Sequence, residues 1–127
     1  MDSGFRHRVG ILDDNDDSRS VLRFWLECQG FEVREYRCKA DFIAGARQDK
    51  LDIGLVDLWL PDGSGLQVPS ELKEQAGTII PIVAVTAHAM PTAAIEAKDA
   101  GFSGFLTKPL DLEKLHTEIR KHLPDGS

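Results

Sequence analysis

Three carboxylates, a hydroxyl and an ammonium group follow apolar runs of the sequence. They belong to Asp13 and Asp14, then Asp57, Thr86 and Lys108. Carboxylates brought close together cannot all stay ionised without a compensating charge. A hard divalent cation supplies that charge, and oxygen ligands suit Mg²⁺, with Mn²⁺ as an alternative. If the fold brings these side chains together, the pattern indicates a metal site.

The same residue types suit phosphoryl chemistry. A metal ion can bind phosphoryl oxygens and draw off negative charge while a carboxylate attacks phosphorus. Lys108 can hold a further oxygen as a point charge, and the Thr86 hydroxyl can hold another. Each residue taken alone has an ordinary explanation, as a turn residue, a strand end or a solvated lysine. Phosphoryl chemistry is favoured only because the predicted fold brings all five side chains to the same edge of the sheet.

The elements that would position these residues are five strands and five helices in alternation. The predicted strands are 9–12, 31–36, 53–56, 79–85 and 104–106. A first helix ends at Gly30, and a second is weakly indicated because Gly45 interrupts it. A short helix around Leu72 is followed by one that runs from Pro91 to Gly101.

The inner faces of the first and last helices are predicted from their apolar spacing. Asp111 is expected to cap the last helix, with Leu110 and Leu115 as a hydrophobic staple. The residues assigned to inner faces are Val21, Leu22, Trp25 and Leu26 in the first helix, and Leu112, Leu115, Ile119 and Leu123 in the last. Asp16 and Asp17 are explained by the favourable position of acidic residues at a helix start.

Alternating strands and helices predict an α/β fold with one doubly wound parallel sheet of five strands, in the order 2-1-3-4-5. Its chemistry should lie at the carboxyl ends of the strands, near the switch point between strands 1 and 3. The domain is expected to span residues 8–123, with tails at 1–7 and 124–127.

Composition narrows the classes of protein. The 127 residues are 42% hydrophobic and 28% charged, as in an ordinary globular domain. The net charge of −6 argues against nucleic-acid binding. No apolar run is long enough for a membrane span or a signal peptide, so a cytoplasmic location is expected. Cys28 and Cys38 are expected to be reduced thiols.

Four segments resemble response-regulator receiver domains of two-component signalling. They are ILDDN (11–15), LVDLWLPDGSG (55–65), VAVTAHAM (83–90) and LTKPL (106–110), and they occur in the family's order and spacing. The resemblance implies a flavodoxin-like fold and a signalling phospho-acceptor rather than an enzyme. A histidine kinase or phosphotransfer protein would then donate the phosphoryl group in a Mg²⁺-dependent reaction.

The resemblance also implies roles for individual residues. Asp57 would be the phosphorylated residue. Asp14 would bind Mg²⁺ directly and Asp13 through water, while Trp59 would contribute its backbone carbonyl. At the mouth of the site, the side chains of Trp59 and His88 would control the access of water.

A phosphate-binding and switching group is implied in the same way. Thr86 would supply the switch hydroxyl and Ala87 would adjoin the phosphate, while Lys108 would bind it. Phe105 would be the switch aromatic, without the hydroxyl of the commoner tyrosine. The bond between Lys108 and Pro109 is expected to be cis. Switching would alter the face formed by the fourth helix, fifth strand and fifth helix, which would bind a downstream partner or support a phosphorylation-dependent dimer.

Other functions remain alternatives. The chain could be a receiver cut from a hybrid histidine kinase or a longer regulator, or a receiver-like module that is never phosphorylated. An aspartate-nucleophile phosphatase would need an acid–base Asp two residues after Asp57, where this chain has Trp59. A flavin mononucleotide carrier is disfavoured because the acidic segment 13–17 would repel an anion.

Overall fold

Five parallel strands form the centre of the molecule in the computed structural model, which describes residues 6–60, 63–77, 79–87 and 91–123. The strands are β1 (Arg8–Leu12), β2 (Glu32–Tyr36), β3 (Ile53–Asp57), β4 (Ile82–Thr86) and β5 (Gly104–Thr107). Their spatial order is β2-β1-β3-β4-β5. The predicted doubly wound sheet is therefore confirmed.

Helices follow the strands in alternation. They are α1 (Asp16–Cys28), α2 (Lys39–Gln48), α3 (Val68–Glu71), α4 (Ala93–Ala100) and α5 (Leu112–His122), and α3 continues as a π-helical turn, Leu72–Ala76. The expected cap of α5 is present, since the Asp111 carboxylate accepts hydrogen bonds from the N–H groups of Glu113 and Lys114. No helix in the described ranges has both the length and the apolar character needed to cross a bilayer.

The sheet separates two apolar cores. One lies under α1 and α5, and includes Leu22, Leu26, Leu115 and Ile119. The other lies under α2, α3 and α4, and includes Phe42 and Leu72. Buried side chains alternate between the two cores along each strand, because successive residues of a strand point to opposite faces.

Close packing of α2 explains why the sequence indicates that helix only weakly. The ring of Phe42 lies over Gly54, and a Cβ atom at Gly54 would stand 2.6 Å from Phe42 Cζ. Gly10 is the register partner of Gly54 and touches the same ring. Gly45 faces the ring of Tyr36 so closely that a side chain would collide with it. The glycine that interrupts the helical pattern is therefore what lets α2 approach the sheet.

Strand β4 begins three residues later than predicted. Ile79 is 82% exposed, although it belongs to an apolar run. Pro81 has no N–H to donate, so the ladder with β3 starts at its carbonyl, which accepts a hydrogen bond of 3.0 Å from Gly54 N. Hydrophobic character alone therefore placed the start of this strand wrongly.

Two residues assigned to inner helix faces are exposed instead. Val21 is 69% exposed on α1 and Leu112 is 38% exposed on α5. Both lie toward the carboxyl edge of the sheet and line a groove described below. Trp25 is only partly buried at the margin of its core.

Smaller differences occur at the ends of elements. Helix α4 begins at Ala93, with Thr92 as its N-cap, rather than at Pro91. The predicted loop 58–65 contains a short antiparallel pair, Trp59–Leu60 with Gly63–Ser64. At the start of the chain, His7 is buried and its carbonyl accepts a hydrogen bond from Glu32 N, so packed structure extends to that residue.

Candidate functional site

Strand register brings the predicted site residues to one edge of the sheet. Leu12 pairs with Val56, so Asp13 and Asp57 follow side by side on β1 and β3. Asp57 pairs with Val85, which places Thr86 one residue further along β4. Lys108 comes directly after β5, and its N–H donates to the Thr86 carbonyl at 2.8 Å.

Three carboxylates meet at this edge. Asp13, Asp14 and Asp57 each offer an oxygen, and these atoms all lie within 4.8 Å of one another. Asp13 and Asp57 are buried, whereas Asp14 is exposed. Such a set of oxygens fits a hard divalent cation reached from solvent on the Asp14 side. The three residues could therefore hold Mg²⁺.

Lys108 bridges two of these carboxylates. Its Nζ donates to Asp13 Oδ2 at 3.1 Å and to Asp57 Oδ2 at 3.2 Å. Burial acts to lower the pKa of Lys108, but its hydrogen bond with Asp13 and the charges of both carboxylates outweigh burial and raise that pKa above its ordinary value. The side chain is thus a fixed positive charge beside Asp57.

Backbone N–H groups orient the other carboxylate oxygens. Asn15 N donates to Asp13 Oδ1 at 2.9 Å, and Trp59 N donates to Asp57 Oδ1 at 2.9 Å. Gly65 brings the following loop against the Asp57 backbone, where a Cβ atom would stand 2.5 Å from the Asp57 carbonyl oxygen. Local turns therefore fix the directions of both buried carboxylates.

The residues expected to bind phosphate and to switch lie around this centre. Thr86 is completely buried at the end of β4, and Ala87 after it is exposed. Phe105 is half-buried and packs against the core under α2, α3 and α4. The peptide bond between Lys108 and Pro109 is cis, as expected from the sequence.

One of the two residues expected at the mouth of the site, Trp59, belongs to the part of the chain that the structure describes. Trp59 is 61% exposed, and its backbone N–H is bonded to the Asp57 carboxylate. His88 lies outside the described residues.

A groove beside the site was not predicted. It has a volume of about 460 Å³ and reaches from Asp57 and Lys108 to Val21 on α1 and Leu112 on α5. One turn along α1 from Val21, Phe24 is 71% exposed. The signal in the sequence was a second apolar pair, Val21 and Phe24, three residues apart on α1 and beside the buried Leu22 and Leu26.

Arg19 is a second feature that sequence reasoning missed. It is buried on the inner side of α1 and its guanidinium donates to the backbone carbonyl of Asp13 at 2.6 Å. The signal was a charged residue at the spacing of Leu22 and Leu26, which form the buried face of the same helix.

Comparison with known proteins agrees with this geometry. The model of the response regulator receiver domain family matches residues 9–120. The chain therefore belongs to the receiver domains of response regulators, the signalling domains of two-component systems.

Individual relatives are similar over nearly the whole chain. The polar-differentiation response regulator DivK of Brucella ovis is 30% identical over 119 residues, which cover 93% of this chain and 97% of DivK. The chemotaxis protein CheY4 of Vibrio cholerae shares the fold, with a TM-score of 0.85, 24% identity, and coverage of 94% of this chain and 100% of that one.

A third relative is a response regulator from Burkholderia pseudomallei whose structure contains a phosphorylated aspartic acid, a calcium ion and citrate. It is 28% identical with a TM-score of 0.77, and the match covers 94% of this chain and 67% of that one.

Proposed function

We propose that this receiver domain accepts a phosphoryl group on Asp57 from a phosphohistidine donor, in a reaction that requires Mg²⁺. The observation that carries the proposal is the bridge from Lys108 to Asp57 inside a cluster of three carboxylates. The phosphorylated aspartate and divalent cation of the Burkholderia pseudomallei relative support it.

The chain's own groups have separate tasks in this reaction. Asp57 supplies a carboxylate oxygen that forms a bond to phosphorus, while the bond from phosphorus to the donor's imidazole nitrogen breaks. Lys108 stabilises the charge on a phosphoryl oxygen, and the Thr86 hydroxyl can donate a hydrogen bond to another. Asp13, Asp14 and Asp57 would hold Mg²⁺, which neutralises charge on the phosphoryl oxygens when bound.

The test uses a small phosphodonor with Mg²⁺. The wild-type protein should gain one phosphoryl group, as an acid-stable and base-labile acyl phosphate detected by mass spectrometry. Asp57→Asn should gain none, because an amide is not a nucleophile. Asp99→Asn, an exposed position on α4, is the matched control and should be labelled like wild type. Full labelling of Asp57→Asn would refute the proposal.

The donor would dock in the groove next to Asp57. A protein that delivers phosphohistidine must bring its imidazole to Asp57, and the apolar wall formed by Val21 and Leu112 lies beside that route. Val21→Ser should therefore slow phosphotransfer from a histidine kinase or phosphotransfer protein, while labelling by the small phosphodonor stays unchanged. Equal slowing with both donors would argue against docking at this groove.

The output surface would be formed by α4, β5 and α5. Ile95 is 62% exposed on α4, and Phe105 lies on the adjacent strand β5. A downstream partner, or a second copy of the phosphorylated domain, would bind there. Analytical ultracentrifugation with and without phosphorylation separates these two occupants, because only self-association changes the mass of the isolated protein.

A further inference from the structure

Arg19 occupies an unusual position for an arginine. It lies on α1, one turn after the helix begins, and its residue surface is only 7% exposed. Arginine is almost never buried unless its charge is paired and its donors are bonded. The surroundings of Arg19 must therefore satisfy the guanidinium.

Three hydrogen bonds do so, and each leads to a different segment. Nη2 donates to Asp16 Oδ1 at 2.6 Å at the start of α1. Nε donates to Glu35 Oε1 at 2.9 Å on β2. Nη1 donates to the backbone carbonyl of Asp13 at 2.6 Å, at the end of β1. The rigid guanidinium fork thus joins the strand end, the helix start and the neighbouring strand.

The charge on this group is secure. Burial acts to lower the pKa of Arg19, but its hydrogen bonds and charge interactions with Asp16 and Glu35 outweigh burial and raise that pKa. Arg19 is therefore a permanent donor beside the carboxylate cluster.

The carbonyl of Asp13 belongs to the peptide group that joins Asp13 to Asp14. Fixing that plane limits the directions in which both carboxylates can leave the backbone. The Asp13 side chain is also held by Asn15 N and Lys108, whereas the exposed Asp14 side chain is not buried against neighbours. We infer that Arg19 is a positioning residue that holds the peptide between Asp13 and Asp14 so that their carboxylates converge with Asp57 on a divalent cation.

This inference rests on the proposed Mg²⁺ site and has its own control. Arg23 also bonds to Glu35, with Nη1 2.6 Å from Oε2, but its Nε donates to Glu27 on α1 rather than to the Asp13 carbonyl. A role that acts only through the Glu35 network would make the two arginines equivalent. If Arg19 acts through the Asp13 carbonyl, substitution of Arg19 should change Mg²⁺ affinity and substitution of Arg23 should not.

The test is titration calorimetry of the full chain with Mg²⁺ alone, together with melting temperatures in EDTA. Arg19→Ala should weaken Mg²⁺ binding about tenfold or more, as is usual when a group that orients metal ligands is lost. Arg23→Ala should lower the melting temperature without changing Mg²⁺ affinity. If Arg19→Ala does not fold, Arg19→Lys is measured instead. A single ammonium cannot reproduce the fork, so its Mg²⁺ affinity should also fall.

The outcomes are distinguishable. Wild-type affinity in a folded Arg19→Lys or Arg19→Ala variant would overturn the inference and leave the proposed function intact. An equal loss of Mg²⁺ affinity in Arg23→Ala would also overturn it, because the effect would then pass through Glu35. A wild-type protein that does not bind Mg²⁺ would refute the proposed metal site and this inference with it.

Discussion

Thr86 and Phe105 lie on the same face of the sheet, on neighbouring strands and two positions apart in register. Phe105 pairs with Ala84, and Thr107 pairs with Thr86. Side chains two residues apart on a strand share a face, so a shift of the Thr86 hydroxyl toward Asp57 would change the space beside the Phe105 ring. Because Phe105 has no hydroxyl, any signal from its ring must be steric.

We therefore expect phosphorylation to move Phe105 inward and to alter α4, β5 and α5. Backbone amide chemical shifts in these elements should change in wild type, and most of that change should be lost in Thr86→Ala. Thr107→Ala is the control, because Thr107 is the exposed register partner of Thr86. Changes confined to α1 and α2 would contradict this switching route.

Asp13 and Asp14 should respond differently to substitution. Asp13 is buried and bonded to Lys108, so Asp13→Ala should destabilise the metal-free protein by about 1–3 kcal/mol. Asp14→Ala should leave that stability unchanged or raise it, because an exposed like charge is removed. Both variants should bind Mg²⁺ more weakly.

The measurement is urea unfolding in EDTA, with Mg²⁺ titration of the same samples. Equal destabilisation by the two substitutions would show that burial and the Lys108 bridge do not distinguish them.

Trp59→Asn should shorten the lifetime of the phosphorylated state. The exposed indole of Trp59, two residues after Asp57, can cover the path of the attacking water. It has no hydrogen-bond acceptor with which to orient that water for attack. We expect dephosphorylation about tenfold faster, equivalent to roughly 1.4 kcal/mol in the barrier. The phosphoryl half-life is measured at saturating Mg²⁺.

Two further variants control that experiment. Trp25→Phe changes the other tryptophan, on the core under α1 and α5, and should leave the half-life unchanged. His88→Ala should have a smaller effect than Trp59→Asn. A half-life in Trp59→Asn that equals or exceeds the wild-type value would rule out steric cover.

The free energy of unfolding should depend on pH partly through the ionisation of Glu35. Its hydrogen bond with Arg23, with a further contribution from Arg19, lowers the pKa of Glu35 more than burial raises it. The stabilisation is therefore present above the unfolded-state pKa of about 4.3 and is lost as the pH falls through the lower folded-state value.

Glu35→Gln should accordingly cost on the order of 1 kcal/mol at neutral pH, since the pairs are partly exposed, and less in acid. Urea midpoints at neutral and acidic pH measure the difference, with the exposed position Glu96→Gln as control. A gap between wild type and Glu35→Gln that widens on acidification would have the wrong sign.

Much of the fold could be predicted because its signals are local. Short apolar runs predicted β1, β3, β4 and β5, and the alternation of apolar with charged residues predicted β2. The rule that function lies at the carboxyl ends of parallel strands predicted that Asp13, Asp57 and Lys108 lie close together. The limits of β4 could not be obtained in this way, because apolar character does not show that the ladder starts only at Pro81.

Other features depend on contacts between distant segments. The role of Arg19 could not be predicted, because its partner Asp13 follows β1 and its partner Glu35 lies on β2, and only the register of the two strands brings them together. Val21 was assigned to the core because its spacing fits an amphipathic helix. Its exposure follows from the position of α5, which leaves the groove open.

The contact of Phe42 with Gly10 and Gly54 has an evolutionary consequence. The ring occupies the volume that a side chain at Gly54 would need, whereas a Cβ atom at Gly10 would collide with Leu51 Cδ1 and stand 3.2 Å from the same ring. A larger residue at 54 would need a smaller one at 42, and a larger residue at 10 would also need a change at Leu51, so these positions should covary among homologues of this chain. In an alignment of near homologues, paired substitutions at these positions would reflect how closely α2 packs against the sheet.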